Sequence, residues 1–330
     1  MKAIVCTKYG PPEVLQLQEV AKPHPKDHEV LIRIHAASVT TAGLIGRKGT
    51  PIFTRIFSGL TKPKNNILGM ELSGEIEAIG AKVSRFSPGD LIFGLTGTGL
   101  GANAEYVCLS EVGALAHKPK NMSYQESTAL IEGGLTALNF LRNKAGIQSG
   151  QKVIIIGASG SVGTASVQFA KHFGAEVTAV CSQANANMVS ALGADRVIDY
   201  HKEDFTQNGQ TYDIIFDTVG SRSFPECKNS LKADGIFLDA AGLSTVLHML
   251  WTSLFSRKKA FLLATYIRPA AKIREDLLYL KDLIEGGTIK PVIDRHYPLE
   301  KTAEAHQYVE TGRSLRFRLP KSNQGPPVSL

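Results

Sequence analysis

The chain has 330 residues, 43% hydrophobic and 20% charged, which is ordinary globular composition and enough for two domains with buried cores. No apolar run reaches the roughly 18–20 residues that span a bilayer, and the N-terminus MKAIVCTKYG is strand-like rather than a signal peptide, so a cytoplasmic address is expected. The net charge of +7 is spread along the chain and is densest at residues 313–321, a distribution that suits anionic small molecules better than nucleic acid.

From residue 1 to 121, short strands (EVLIRIHAAS, LSGEIEAIG, DLIFGL, AEYVCL) are separated by turns such as Ser87-Pro88-Gly89-Asp90, predicting a compact β-rich domain. Over 122–268 strands and helices alternate. VIIIG leads to a helix at 162–173 stopped by Gly174, then come EVTAVC, a helix at 187–192, RVIDY, YDIIFD, a helix near 224–231, GIFLD and AFLLATY. Six strands with short crossovers predict an α/β fold with a doubly wound parallel sheet of Rossmann type. Residues 275–318 read as helix, strand-like run and helix, expected to complete the first domain. The division is thus 1–121 with 269–330, and 122–268. The last residues, 321–330, have the composition of a disordered tail. Cys6, Cys108, Cys181 and Cys227 form no C-x-x-C pair and read as reduced packing residues.

The stretch KVIIIGASGSVG carries the clearest chemistry. Aligned on its last two glycines it is Ala158-x-Gly160-x-x-Gly163, with alanine in place of the usual first glycine. It leaves a predicted strand and opens a predicted helix, the setting of a dinucleotide site. Gly160 lets backbone approach a pyrophosphate, Gly163 lets helix pack on strand, and the helix start offers free N–H groups and a positive dipole. A tight turn without a ligand is the bland alternative. The next strand ends Val180-Cys181-Ser182-Gln183-Ala184-Asn185, with no carboxylate for a ribose 2′-hydroxyl, which favours NADPH over NADH. Ser182 is either a donor to the 2′-phosphate or a helix cap. No Arg or Lys follows until Arg196.

With that loop, GMELSGEIEAIG, FSPGDLIFG, GGLTAL, LGADRVIDY and YDIIFDTVG stand in an order that resembles the medium-chain dehydrogenase/reductase superfamily, in its zinc-independent quinone oxidoreductase branch. The resemblance covers residues 1 to about 312. It implies a GroES-like catalytic domain, a Rossmann cofactor domain, an active site in the cleft between them, and a homodimer. It places Thr136 near the nicotinamide and its phosphates, Ser161, Val162 and Gly163 at the pyrophosphate, and Tyr200 on the adenosine side. Thr218, Val219, Ala241 and Gly242 would line the track between. Each also has a local reading, as Tyr200 does as a strand-end packing residue.

Where zinc-dependent relatives carry metal ligands, this chain reads Thr40, Met70 and Gly133, so no zinc is expected. Glu132, beside Gly133, reads as hydrogen-bonded or solvated. Without a Lewis acid, the expected acceptors are quinones and α,β-unsaturated carbonyls, where the charge formed is delocalised. Thr40 is the candidate donor to substrate, with a Thr satisfied by backbone as the alternative. The Arg47-Lys48-Gly49-Thr50-Pro51 run lacks the Tyr of many relatives, and the tail GRSLRFRLPK departs from theirs. The scattered histidines form no acid–base set. A cofactor-binding sensor or interaction protein with little turnover, or an alcohol or aldehyde oxidoreductase, are the other readings. PIFTRIFSGLTKPKNN and STVLHMLWTSLF are candidate lid, dimer or membrane-surface elements, with core or dimer packing the commoner fate of such stretches.

Overall fold

The computed structural model describes residues 1–50, 52, 55–241, 245–263, 265–312 and 327–329. Two compact units divide the chain: Met1–Ile131 with Tyr266–Gly286 and Lys290–Leu330, and Glu132–Thr265 with Gly287–Ile289. Strands are numbered β1–β15 in chain order. Among the described residues no helix is long and apolar enough to cross a membrane.

In the first unit, β1 (Lys2–Cys6) pairs antiparallel with β2 (Leu15–Glu19). The main sheet centres on β3 (Glu29–Ser38) against β4 (Glu71–Ile79), followed by β5 (Leu91–Leu95) and β7 (Leu115–His117), while β6 (Tyr106–Ser110) pairs with the first half of β3. Alternation along β3 turns Val30, Ile32 and Ile34 into a core with Leu72, Ile76, Ile92 and Leu115. Of the last residues, 321–330, only Pro327–Ser329 are among the described residues. Pro327–Ser329 form β15, which pairs parallel with β3 at Val328↔Ala37 and antiparallel with β14 (His296–Pro298). The reason lies in β3 itself: β6 covers only Glu29 to Arg33, leaving the far end of that edge with unpaired backbone groups. The basic cluster at 313–321 lies outside the described residues.

The second unit is a six-stranded parallel sheet in the order β10, β9, β8, β11, β12, β13, formed by Arg196–Asp199, Glu176–Cys181, Lys152–Ile156, Tyr212–Asp217, Leu231–Asp239 and Lys259–Leu262. Near-continuous burial of Val153 to Ile156 and Ile214 to Phe216 is what a sheet covered on both faces requires. The helix Ser161–His172 buries Ala165, Val167, Phe169 and Ala170. Gly174 stops it as expected, at φ +80°, where a Cβ would also meet Ser149 Oγ at 2.6 Å. Helix Ile131–Ala137 runs into a π-helical stretch, Leu138–Lys144. The chain leaves β8 in one direction for β9 and β10, then returns to β11 on the other side. That reversal is the topological switch point at which doubly wound sheets hold their ligands.

Candidate active site

The loop after β8 sits at the switch point. Its tight turn is made by Gly157, one residue before the alanine that stands in for the usual first glycine. Gly157 adopts φ +75°, and a Cβ there would meet Val219 Cγ1 at 2.6 Å and Thr218 Oγ1 at 2.8 Å. The turn's role was therefore kept and moved by one position, which the motif alignment missed. The N–H groups of Gly157 and Ala158 both donate to Val180 O, at 3.1 and 3.0 Å, tying the loop to the end of β9.

Gly163 and Gly160 are glycines for different reasons. A Cβ on Gly163 would stand 2.2 Å from Gly157 O and 2.7 Å from Ala158, so the helix can lie against the strand end only without one. At Gly160 the nearest atom to a Cβ is Gly157 O at 3.5 Å, and φ is −75°. Neither space nor backbone inside the protein demands glycine there. Gly160 caps the helix without a side chain, and the first-turn N–H groups of Ser161, Val162 and Gly163 have no intrahelical acceptor. Together with the positive end of the helix dipole they make an anion site. The residues present fit a dinucleotide.

Helix Ile131–Ala137 packs on the same helix start. A Cβ on Gly133 would be 2.4 Å from Ser161 O and 3.2 Å from Ala165 Cβ. Thr136, one turn later on that face, is buried. No side chain of any kind has room at Gly133, so that position supplies no donor. Thr40 offers a hydroxyl and Met70 a thioether, a set that does not suit zinc. Among the described residues no three His, Cys, Asp or Glu side chains are grouped to hold a metal.

Two carboxylates that sequence reasoning passed over organise the neighbouring turns. Asp217 and Asp239 end β11 and β12 in register and are fully buried. Asp217 accepts the N–H groups of Val219, Gly220 and Arg222 at 2.7–2.9 Å. Burial pushes its pKa up, against the pull of those donors. Asp239 accepts the N–H of Ala241 at 2.9 Å and the Thr245 hydroxyl at 2.5 Å. The signal was present in FDTVG and FLDAAG, where each strand ends in Asp just before a loop. Thr218 is held too, its hydroxyl donating to Ile156 O at 2.8 Å, whereas the Val219 side chain is exposed. Gly242 lies outside the described residues.

At the end of β9, Ser182 occupies the N-cap position of the short helix Gln183–Asn185, but its hydroxyl makes no capping bond. Tyr200 is exposed, so it is not a strand-end packing residue, and its N–H reaches Cys181 O at 3.4 Å. Arg196 is paired with Glu203 at 2.6 Å. The cation that reaches this corner is Lys202, whose Nζ lies 3.4 Å from Gln183 Oε1. Its nearest carboxylate, Asp199, stands 4.0 Å away and accepts the His201 N–H. Lys202 was missed because it follows Ser182 by a whole strand and turn.

In the first unit, Thr40 is the N-cap of helix Thr41–Lys48, with its carbonyl bonded to the Leu44 N–H at 3.1 Å and its hydroxyl making no capping bond. Arg47 is structural: it is fully buried, donates to Gly10 O at 2.7 Å and is ion-paired with Glu310, which Lys48 joins at 3.0 Å. Glu71, beside Met70, is wholly buried and accepts the Ser38 hydroxyl. Burial raises its pKa, and hydrogen bonds from Ser38 and Tyr266 oppose the rise. The four cysteines are free, and burial pushes Cys181 up to about 11 and Cys227 to about 12, which makes both poor nucleophiles.

Comparison with known proteins agrees with this arrangement. The alcohol dehydrogenase GroES-like domain family matches residues 26–120, and the zinc-binding dehydrogenase family matches 192–315. The chain is 32% identical to the 2-methylene-furan-3-one reductase of Solanum lycopersicum over 326 residues, covering 95% of this chain and 77% of that one. It is 28% identical to the human quinone oxidoreductase, covering 94% of each. A solved quinone oxidoreductase from Coxiella burnetii superposes with a TM-score of 0.84 at 28% identity, covering 100% of this chain and 98% of its own. With its glycine-rich loop and two-unit architecture, the chain belongs to the medium-chain dehydrogenase/reductase superfamily, in the quinone oxidoreductase branch, as an NAD(P)-dependent oxidoreductase.

Proposed function

We propose that this protein is an NADPH-dependent, zinc-independent reductase of quinones or α,β-unsaturated carbonyls. The observation that carries the reading is Gly160, a glycine that the protein's own packing does not need and that a pyrophosphate does. The bound cofactor supplies hydride. The chain's own residues hold it: amides of Ser161 to Gly163 at the pyrophosphate, Thr136 beside the same helix start, and the loops braced by Asp217 and Asp239 along the track. With a hydroxyl, a thioether and no side chain at Thr40, Met70 and Gly133, a plain carbonyl has no Lewis acid to polarise it. Conjugated acceptors need less help, since the charge formed is spread over the acceptor and a hydrogen-bond donor suffices. Thr40 is that donor. The names of two relatives, one a quinone oxidoreductase and one a reductase of a conjugated furanone, point to the same acceptor class.

NADPH preference rests on the corner formed by Ser182, Tyr200 and Lys202, which offers hydroxyls and a cation and no carboxylate at the end of β9. The test is oxidation of NADPH and NADH by 1,4-benzoquinone, an enone and a plain aldehyde, with and without chelator. Turnover of quinone or enone with NADPH, unchanged by chelator, is expected; tight NADPH binding without turnover overturns the enzyme reading. Lys202→Gln should raise the NADPH KM about tenfold, the loss of one charge-assisted bond, and leave NADH unaffected.

A further inference from the structure

The helix that begins at Ile131 changes its winding halfway. After Ala137 it is π-helical over Leu138–Lys144, and the Ala145 N–H closes it on Phe140 O at 2.9 Å. π turns are rare and recur at functional sites. Three contacts hold this one to the far half of the parallel sheet. Phe140 stacks on Phe216 of β11 with ring centroids 4.9 Å apart, and Lys144 Nζ lies 3.9 Å from the centroid of the Phe261 ring on β13. Between them Asn139, 8% exposed, donates from Nδ2 to Thr265 Oγ1 at 3.2 Å.

Thr265 follows the end of β13 and is 5% exposed. The amide NH2 of Asn139 can only donate, so the Thr265 oxygen accepts and its own O–H stays unspent, with no acceptor for it among the described residues. A buried O–H in that state calls for a partner from elsewhere. At its other end the same helix packs on the helix start at Ser161, with Gly133 against Ser161 O and Thr136 one turn before Asn139. A dinucleotide extends a nucleoside to either side of its pyrophosphate. On the cofactor reading above, on which this inference rests, one nucleoside goes to the corner of Ser182 and Lys202 beside β9 and β10. The nicotinamide half then goes the other way, towards the ends of β11, β12 and β13.

We propose that Thr265 is a cofactor-binding residue whose hydroxyl, with its oxygen held by Asn139, donates to the carboxamide of the nicotinamide. Asn139 is then a positioning residue, which sets where the Thr265 O–H can point without meeting the cofactor itself. The π stretch supplies the reach, since it carries Asn139 from the helix packed at Ser161 to the loop beyond β13. The inference stands apart from the acceptor's identity.

Calorimetric titration with NADPH and with 2′-phospho-ADP-ribose, which lacks the nicotinamide, separates this role from a structural one. Thr265→Val keeps the side-chain shape and loses the hydroxyl, so it should weaken NADPH about tenfold and leave 2′-phospho-ADP-ribose within about twofold. Thr265→Ser, which keeps the hydroxyl, should recover most of the loss. Asn139→Leu should copy Thr265→Val, and the double variant should be no worse than either, as expected of two residues acting through one bond. Unchanged NADPH affinity in Thr265→Val overturns the proposal, as does equal weakening of both ligands or a double variant in which the losses add. A wild type that binds neither ligand overturns the cofactor reading and this inference together.

Discussion

Two regions of this molecule place chemically expressive residues in quite different employment. In the first unit, the run beginning at Arg47 lacks the Tyr of many relatives, and Arg47 itself is wholly buried with its charge spent on Gly10 O and Glu310. In the second unit, the loop from Gly157 to Gly163 contains one glycine demanded by φ, one demanded by packing, and Gly160, which nothing inside the protein demands. The contrast teaches that a residue the fold does not explain is a better pointer to a ligand than a charged residue the fold has already used.

That contrast breaks most visibly at Glu310. Glu310→Ala leaves the Arg47 guanidinium buried without its carboxylate and should cost about 3–4 kcal/mol in urea unfolding. A cost below about 1 kcal/mol would mean that Arg47 is solvated or free to serve elsewhere. Acid probes the same cluster through His306, which is buried on helix Thr302–Glu310. Burial, with repulsion from Arg47, pushes its pKa down to about 4. Above the unfolded value of about 6.5 both states are neutral and the contribution is complete. As pH falls from there towards about 4, only the unfolded chain gains the proton, so stability drops by up to about 3 kcal/mol. Urea midpoints across that window should fall more steeply for the wild type than for His306→Gln.

The other half of the contrast is sharpened by two alanines. Gly163→Ala sets a Cβ against Gly157 O and should cost about 2 kcal/mol, with cofactor binding lost alongside. Gly160→Ala should alter stability by no more than about 0.5 kcal/mol while weakening NADPH about tenfold, measured by fluorescence titration, because only the ligand meets the added methyl. Equal effects at the two positions would remove the distinction.

Legibility followed the range of the interactions. The six strands of the parallel sheet, the helix opened at Ser161 and its stop at Gly174 were readable because periodicity and glycine act within a few residues. The turn glycine was misplaced by one position because Gly157 and Ala158 differ in φ, which spacing does not encode. Asp217 and Asp239 were visible as letters but not as braces, since their partners are backbone N–H groups two to five residues on, after a bend. Within the stretch 321–330, whose composition suggested disorder, the described residues Pro327–Ser329 pair as β15 with the open edge of β3, some 290 residues earlier in the chain.

The sequence by itself determined the α/β class, the glycine-rich loop after β8 and the residue types at Thr40, Met70 and Gly133, all properties of local pattern and residue chemistry. Tertiary structure alone decided that Lys202 stands by Gln183, that Arg47 is consumed by a carboxylate 263 positions away, and that helix Thr245–Phe255 turns its leucines outward. Each of these depends on which surfaces the packed core leaves free, and that is settled only when distant segments close on one another.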